Sequence, residues 1–89
     1  MVVTEITLAG HHGRHVINLP EDAQILSVQW KPGVYHASLW VLAHPTAKVE
    51  TVTVEMVHTW HRMPPGRYKH LGSVIDHVGQ MCHYFLVAE

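Results

Sequence analysis

Turn-forming residues interrupt this chain about every ten positions, which leaves room only for short elements of regular structure. Proline and glycine mark several of the breaks, as in 31–33 (KPG) and 63–66 (MPPG). The runs between the breaks are rich in β-branched residues, and none keeps a helical period for long. The sequence therefore predicts an all-β fold: a small antiparallel sandwich or barrel of about six or seven strands, forming one domain over residues 1–89, with no long helix.

Seven segments have the alternation or the β-branched composition of strands. The clearest is 51–60, where Val52, Val54 and Met56 point to one side and the residues between them to the other. We expect this strand to have one face in the core and one face in water. The predicted strands are Val2–Leu8, His15–Leu19, Ile25–Trp30, Tyr35–Ala43, Thr51–Trp60, Tyr68–Ile75 and Met81–Ala88.

Composition narrows the class of partner. Hydrophobic residues make up 47% of the 89 residues and charged ones only 15%, so we expect some apolar surface to be shared with a protein partner, either a second copy or another protein. The basic residues form only a thin cluster at Arg62, Arg67 and Lys69, which is too narrow a footprint for nucleic acid. No apolar run approaches the roughly 18 residues of a membrane span, and the first residues do not resemble a signal peptide.

The single cysteine and the serines carry no sign of catalysis. Cys82 lies in an apolar run, which predicts a packed, inert thiol in a reducing, cytoplasmic compartment. Ser27, Ser38 and Ser73 lie inside predicted strands without the G-x-S-x-G context of a nucleophile, and the sequence has no phosphate-binding glycine loop. We therefore expect no enzymatic activity and no cofactor.

Ten histidines are spread over the whole chain, and two groups of them invite a metal interpretation. The first is the run His11, His12 and His15 around a glycine, which we expect to be a solvated turn. The second is the pair His58 and His61 at the end of a predicted strand. Side chains three apart on a strand point to opposite faces, so these two should diverge, with His58 partly buried.

Three tryptophans are a large aromatic content for a chain of this size. We expect Trp40, inside the most apolar strand, to lie in the core. Trp30 and Trp60 each precede a proline-containing turn, and tryptophan is enriched at the energetic centre of protein interfaces. The predicted contact surface therefore consists of Trp30, Trp60, Arg62, Met63 and Arg67.

The order of these segments resembles a family of small uncharacterised domains found mostly in the genomes of bacteriophages, especially phages of actinobacteria. The resemblance runs from Ile17 to Phe85 through INLPEDAQILSVQW, LWVLAHP, VHTWHRMP, YKHLGSV and MCHYF. One departure stands out, because Trp60 occupies a position where the family pattern has glycine. The residues that follow the pattern are Leu19, Pro20, Ile25, Leu26, Val28, Leu39, Trp40, Leu42, Thr59, His61, Gly72, His83 and Phe85.

The resemblance implies a phage-encoded all-β protein and no particular reaction. With the composition, it leads us to expect an accessory protein of the host cytoplasm that works by binding protein, either itself as a homo-oligomer or a host target. Two alternatives stay open. One is a metal-binding or hydrolytic protein that uses His58, His61 and His83, and the other is a minor component of the virion.

Overall fold

The computed structural model of this protein describes residues 1–8 and 13–88. Along these residues, short strands alternate with turns. The described residues form seven β-strands and no helix, so none of them belongs to a helix that could cross a membrane. The strands are β1 (Val2–Leu8), β2 (Gly13–Pro20), β3 (Gln24–Lys31), β4 (His36–Ala43), β5 (Val49–His58), β6 (Arg67–Ile75) and β7 (Met81–Ala88).

The strands form two sheets in which every neighbouring pair is antiparallel. One sheet has three strands in the order β1-β4-β3, and the other has four in the order β2-β5-β7-β6. The two sheets pack with one core between them, which confirms the predicted all-β, sandwich-like fold. Each sheet thus has an inner face toward this core and an outer face turned away from it.

The core is built by the alternation that the sequence shows. Leu39 and Val41 of the central strand β4 are fully buried, and Val54 of β5 belongs to the same cluster from the other sheet. Side chains two apart on a strand share a face, so each strand supplies every second residue to the core. The buried cluster consists of Leu8, Leu19, Val28, Ala37, Leu39, Val41, Val54, Met56, Val74, Cys82 and Tyr84.

The connection between β5 and β6 has an unusual path. Both strands are antiparallel to β7, which lies between them, so they run in the same direction. The chain must therefore return along the length of β7 to begin β6. Residues 59–66 make this return, and we call them the crossing segment. The Thr59 hydroxyl lies 2.8 Å from Nε2 of His83, whose side chain is on the outer face of β7, so the crossing segment lies over that face.

Because the crossing segment lies over the outer face of the four-stranded sheet, one expectation from the sequence is wrong. The face of β5 that carries Thr51, Thr53 and Glu55 was expected to be in water, and Thr51 is indeed exposed. At the end of the strand, however, Glu55 is only 3% exposed and Val57 only 8%, although both lie on the outer face. The crossing segment shelters them, because His61, Arg62 and Pro64 line a cavity together with these two residues.

Trp40 was predicted to lie in the core, and this prediction is wrong. Its register partners are Glu5 on β1 and Ser27 on β3, and all three are on the outer face of the three-stranded sheet. Trp40 is partly buried there and does not belong to the core cluster. The alternation of β4 explains the difference, because Leu39 and Val41 face the core and the residue between them must face away.

Candidate functional site

A cavity of about 530 Å³ opens between the two sheets at the end where β3, β5 and β6 finish and β4 and β7 begin. The core forms its floor, and two turns, 32–35 and 76–80, form its rim. Small-molecule and ion sites are most often concave and largely apolar with a few convergent polar groups, and this cavity has that character. It is lined by Trp30, Tyr35, Met56, His58, Asp76, His77, Val78, Gln80, Cys82 and Tyr84.

Three aromatic rings form one wall of the cavity. The rings of Trp30 and His77 stack at a centroid distance of 5.7 Å and an angle of 16°, and Tyr35 meets His77 edge to face at 4.8 Å. Tyr35 has a φ of 57°, a left-handed conformation that ends the turn and prevents β4 from starting at Tyr35 as predicted. The indole of Trp30 packs against the core and lines the cavity. Trp30 was predicted to share a contact surface with Trp60, but it lies in this cavity wall, away from the crossing segment that carries Trp60.

Asp76 is the polar centre of the cavity. Its Oδ1 accepts hydrogen bonds from the backbone N–H groups of Val78 (3.0 Å) and Gln80 (2.9 Å), which hold the turn between β6 and β7. Its Oδ2 faces Cys82 Sγ at 3.8 Å and His58 Nε2 at 3.9 Å. Burial acts to raise the pKa of this carboxyl, but the two N–H donors and the nearby histidines outweigh it and leave the pKa below its ordinary value.

The Cys82 thiol is buried on the cavity floor with 2% exposure of the residue. Burial and the neighbouring Asp76 carboxylate raise the pKa of Cys82 to about 11, because both disfavour the thiolate. In this environment the Cys82 thiol is therefore protonated at neutral pH. The burial confirms the packed thiol that the apolar sequence around Cys82 predicts, while its inertness stays a prediction.

A chain of polar side chains lies on the outer face of the four-stranded sheet, beneath the crossing segment. His83 Nε2 lies 2.8 Å from the Thr59 hydroxyl, and its Nδ1 lies 2.7 Å from the Ser73 hydroxyl. The Ser73 hydroxyl also lies 3.0 Å from Nε2 of His70. Both nitrogens of His83 are thus engaged in hydrogen bonds within the fold, and the contacts attach the crossing segment to β7 and β6.

The three histidines considered as metal candidates line one cavity at the crossing segment, but within residues 1–8 and 13–88 they do not form a group of three donor atoms close enough to hold a metal ion. His83 is on the outer face of β7, whereas His58 lies across from Cys82 on the cavity side. His58 and His61 were expected to diverge, but their rings meet edge to face at 5.5 Å. The reason is a turn after β5, in which the His61 N–H donates to the His58 carbonyl at 3.1 Å and Trp60 adopts a φ of 74°.

The other predicted sites are distributed over two regions. Trp60, Arg62 and Met63 lie exposed on the crossing segment, and Arg67 lies exposed at its far end, opposite Ala88 of β7. In the histidine run, His11 and His12 lie outside the described residues, and His15 is partly buried within β2. β2 starts at Gly13, two residues before the strand start predicted at His15.

Sequence reasoning missed the two acidic residues that matter most. Asp76 follows a strand and stands three residues before a glycine, which indicates a turn and nothing about the Cys82 side chain that it faces. Glu55 alternates with apolar residues, which indicates a solvent-facing position. In both cases the partner belongs to another element of the fold, so no local pattern could have identified the contact.

The chain matches the Domain of unknown function (DUF7352) over residues 2–89. It belongs to the DUF7352 family. The expected resemblance to an uncharacterised family of small domains is thereby confirmed, while the phage origin stays a prediction. No curated protein and no solved structure matches the chain. The cavity and the crossing segment of this DUF7352 domain are therefore interpreted from their own chemistry.

Proposed function

We propose that this domain is a phage-encoded accessory protein that acts in the host cytoplasm by binding another protein through its crossing segment. The contact residues are Trp60, Arg62 and Met63, with Arg67 at the start of β6. The proposal rests on the exposure of Trp60: the residue is 97% exposed although its backbone is in a strained, left-handed conformation.

The Trp60 side chain gains little within the fold to offset the strain of its own backbone. A residue other than glycine in the left-handed region costs about 1–2 kcal/mol. An indole that is 97% exposed gains almost nothing from intramolecular packing. A large apolar side chain in this situation is best explained by a contact outside the chain, because tryptophan is among the side chains most enriched at the energetic centres of interfaces.

The crossing segment supports this role because it is held in place before any partner binds. The Thr59 N–H donates to the Met81 carbonyl at 3.4 Å, and the Tyr68 hydroxyl donates to the Pro64 carbonyl at 2.7 Å. Pro64 and Pro65 restrict the backbone between these two attachments. A preorganised contact segment loses less conformational entropy on binding, so more of the contact energy appears as affinity.

The charges on the crossing segment indicate the chemistry of the partner. Arg62 is exposed two residues after Trp60, and Arg67 is exposed at the other end of the crossing segment, which suits an apolar pocket for the indole with acidic residues along its rim. A second copy of this chain offers few such residues. Within residues 1–8 and 13–88, the acidic groups outside an ion pair are Glu21 and Glu50. We therefore favour a different protein over self-association as the partner.

The test compares three variants of the full chain. Trp60→Ala removes the indole, Trp60→Gly removes both the indole and the strain, and Leu26→Ala removes an exposed apolar side chain of the other sheet as a matched control. A binding protein is identified by capture from host lysate, purified, and titrated against each variant. We expect Trp60→Ala and Trp60→Gly to weaken binding at least tenfold, and Leu26→Ala to leave it unchanged.

Two further measurements separate the alternatives. We expect Trp60→Gly to raise the free energy of unfolding by up to about 1 kcal/mol while binding is lost, which shows that the indole serves contact and not stability. Light scattering reports the oligomeric state of the wild type. A dimer that Trp60→Ala dissociates would assign the surface to a second copy, and equal affinity of all variants for the purified partner would contradict the proposal.

A further inference from the structure

We propose that His58, Asp76 and Cys82 bind a single Zn²⁺ ion at the floor of the cavity, with the fourth coordination position open to the cavity. The proposal is independent of the protein contact at Trp60. One donor atom from each of the three residues lies within 4.8 Å of the other two, and no other such group of three is found within residues 1–8 and 13–88. The site differs from the histidine combination that the sequence suggested, because it includes His58 but neither His61 nor His83.

The backbone fixes the relative positions of the three donors. His58 and Cys82 are direct register partners on β5 and β7, so their side chains project from the same face of the sheet. Asp76 follows the last residue of β6, and its side chain is held by the N–H groups of Val78 and Gln80. Two paired strands and a hydrogen-bonded turn thus present the donors without the need for a large rearrangement.

The distances suit tetrahedral zinc. Zinc bonds of about 2.0–2.3 Å place neighbouring donors of a tetrahedron roughly 3.4–3.7 Å apart. Here Asp76 Oδ2 is 3.9 Å from His58 Nε2 and 3.8 Å from Cys82 Sγ. These two pairs need to contract by only a few tenths of an ångström. The donors of His58 and Cys82 lie within 4.8 Å of each other, so this third pair would close by up to about 1 Å when the ion binds. The donor set of one sulfur, one nitrogen and one oxygen favours zinc over Mg²⁺ or Ca²⁺, which take oxygen ligands.

The charge balance also favours a divalent cation. The structure places an ionisable thiol against a carboxylate in a largely buried position, with side-chain exposures of 17% for His58 and 9% for Asp76. When Zn²⁺ binds, the S–H bond breaks, a zinc–sulfur bond forms, and the proton passes to solvent. The ion, the thiolate, the carboxylate and a neutral imidazole then have no net charge together, which lowers the cost of burying each of them.

Three protein ligands with an open fourth position are typical of zinc sites that exchange a water or a small ligand. The cavity of about 530 Å³ lies at this position, with the rings of Tyr35 and His77 at its wall. The open position would accept a water molecule or an anionic group, such as the carboxylate of a ligand small enough to fit in the cavity beside these rings.

The experiment titrates the reduced, metal-free, untagged full chain with Co²⁺, which replaces Zn²⁺ and absorbs visible light. We expect one equivalent to bind, with the intense bands of tetrahedral cobalt and a thiolate-to-cobalt charge-transfer band. Added Zn²⁺ should abolish both. Cys82→Ser should remove the charge-transfer band, and Asp76→Asn should weaken binding at least tenfold. The amide of Asp76→Asn retains an oxygen for the Val78 and Gln80 N–H groups, and circular dichroism verifies that the variant is folded.

Matched controls test whether other histidines are the source of any signal. His83→Gln removes a ring from the outer face and should leave the cobalt spectrum and affinity unchanged. His11→Gln combined with His12→Gln tests the histidine run near the start of the chain. Absence of the charge-transfer band in the wild type would overturn the proposal without reference to any variant. Loss of binding in the His11 and His12 double variant, with Asp76→Asn unaffected, would overturn it as well.

Discussion

The Glu5 carboxylate of β1 joins all three strands on the outer face of the three-stranded sheet, through Ser38 of β4 and Lys31 of β3. It accepts hydrogen bonds from the Ser38 hydroxyl and the Lys31 ammonium, and Lys31 Nζ lies 3.0 Å from Oε2. Ser38 has no exposed surface although it lies on the outer face, because Glu5 and its neighbours cover it. The Ser38 hydrogen bond is the larger cause, and Lys31 the smaller, of a pKa for Glu5 below its ordinary value of 4.5.

Glu5 therefore stabilises the fold in a pH-dependent way. A carboxyl whose pKa is lowered in the folded state contributes its full stabilisation above the ordinary value of 4.5, and this contribution is lost as the pH falls through the folded-state pKa. We expect Glu5→Gln to narrow the difference between the urea unfolding midpoints at pH 7 and pH 3. Glu50→Gln is the control, since Glu50 is exposed and outside any ion pair within the described residues. An unchanged pH profile in Glu5→Gln would contradict this role.

The crossing segment covers the Glu55 carboxylate, so that one of its two oxygens is buried without a hydrogen-bond partner. Its Oε1 lies 3.6 Å from Arg14 Nε, whereas its buried Oε2 has no hydrogen-bond partner. Arg14→Met should leave the carboxylate buried without its cation. We expect a loss of about 1–3 kcal/mol in the free energy of unfolding, less than for a fully buried pair because Arg14 is 49% exposed.

The double variant Arg14→Met with Glu55→Gln removes both charges, so its stability should return to within about 1 kcal/mol of the wild type. Chemical denaturation of the four proteins in this cycle provides the measurement. If Arg14→Met unfolds at the same denaturant concentration as the wild type, the ion pair has no stabilising role. Neither residue was recognisable from the sequence as half of a covered pair, because the covering residues, 61–64, are not adjacent to either of them.

At the scale of single elements, β6 approaches β3 closely at one glycine. The register between β6 and β7 shifts between His70 and Gly72, and at this irregularity the backbone of Gly72 lies close to Val28. A Cβ atom at Gly72 would lie 3.3 Å from both Cβ and Cγ2 of Val28. The contact joins the two sheets along one side, so glycine is needed there for lack of space and not for backbone freedom.

Gly72→Ala should therefore destabilise the domain by overpacking, at a cost of about 1–3 kcal/mol. Val28→Ala removes Cγ2, one of the two atoms nearest to the new methyl group, and leaves a small cavity of its own. In the double variant the two defects should offset each other, so its loss of stability should be less than the sum of the single losses. Thermal or urea unfolding measures all three variants, and strict additivity would show that the contact with Val28 is not the cause.

Strand positions were largely predictable, because alternation and turn residues are local signals. All seven predicted segments coincide with strands, and the deviations at their ends have local causes. Tyr35 and Trp60, predicted as the first and last residues of strands, adopt φ values of 57° and 74° and belong to turns. Neither is a residue type that favours the left-handed region, so no local pattern indicated these conformations. The strained Trp60 turn also brings His61 back to His58, which strand geometry alone did not anticipate.

At the scale of the whole molecule, the order of strands in the sheets was not predictable. Nothing in the composition of β7 indicates that it inserts between β5 and β6, and nothing in β5 indicates that a later segment covers its outer face. The candidate site depends on this arrangement, since it joins His58 of β5 to Cys82 of β7 and to the turn before it. The residues were therefore visible in the sequence, but their combination was not.

The central position of β7 predicts that the four-stranded sheet depends on it. A chain of residues 1–80 leaves β5 and β6 without their shared neighbour and removes Cys82 and Tyr84 from the core. We expect this truncated chain to lack cooperative unfolding and dispersed amide resonances. Addition of a synthetic peptide of residues 81–89 should restore both. Cooperative unfolding of residues 1–80 alone would show that the remaining strands form a stable domain.

The same position of β7 has a consequence for synthesis on the ribosome. The three-stranded sheet can form once residue 43 has emerged, because β1, β3 and β4 all precede that point. The second sheet must wait for residues 81–88, and until then the facing edges of β5 and β6 have unpaired backbone groups and an uncovered apolar face. The nascent protein thus passes through a stage in which every strand of one sheet is present while the other sheet lacks its shared strand. During this stage the unpaired edges of β5 and β6 are accessible to chaperones or to the edge strands of neighbouring chains.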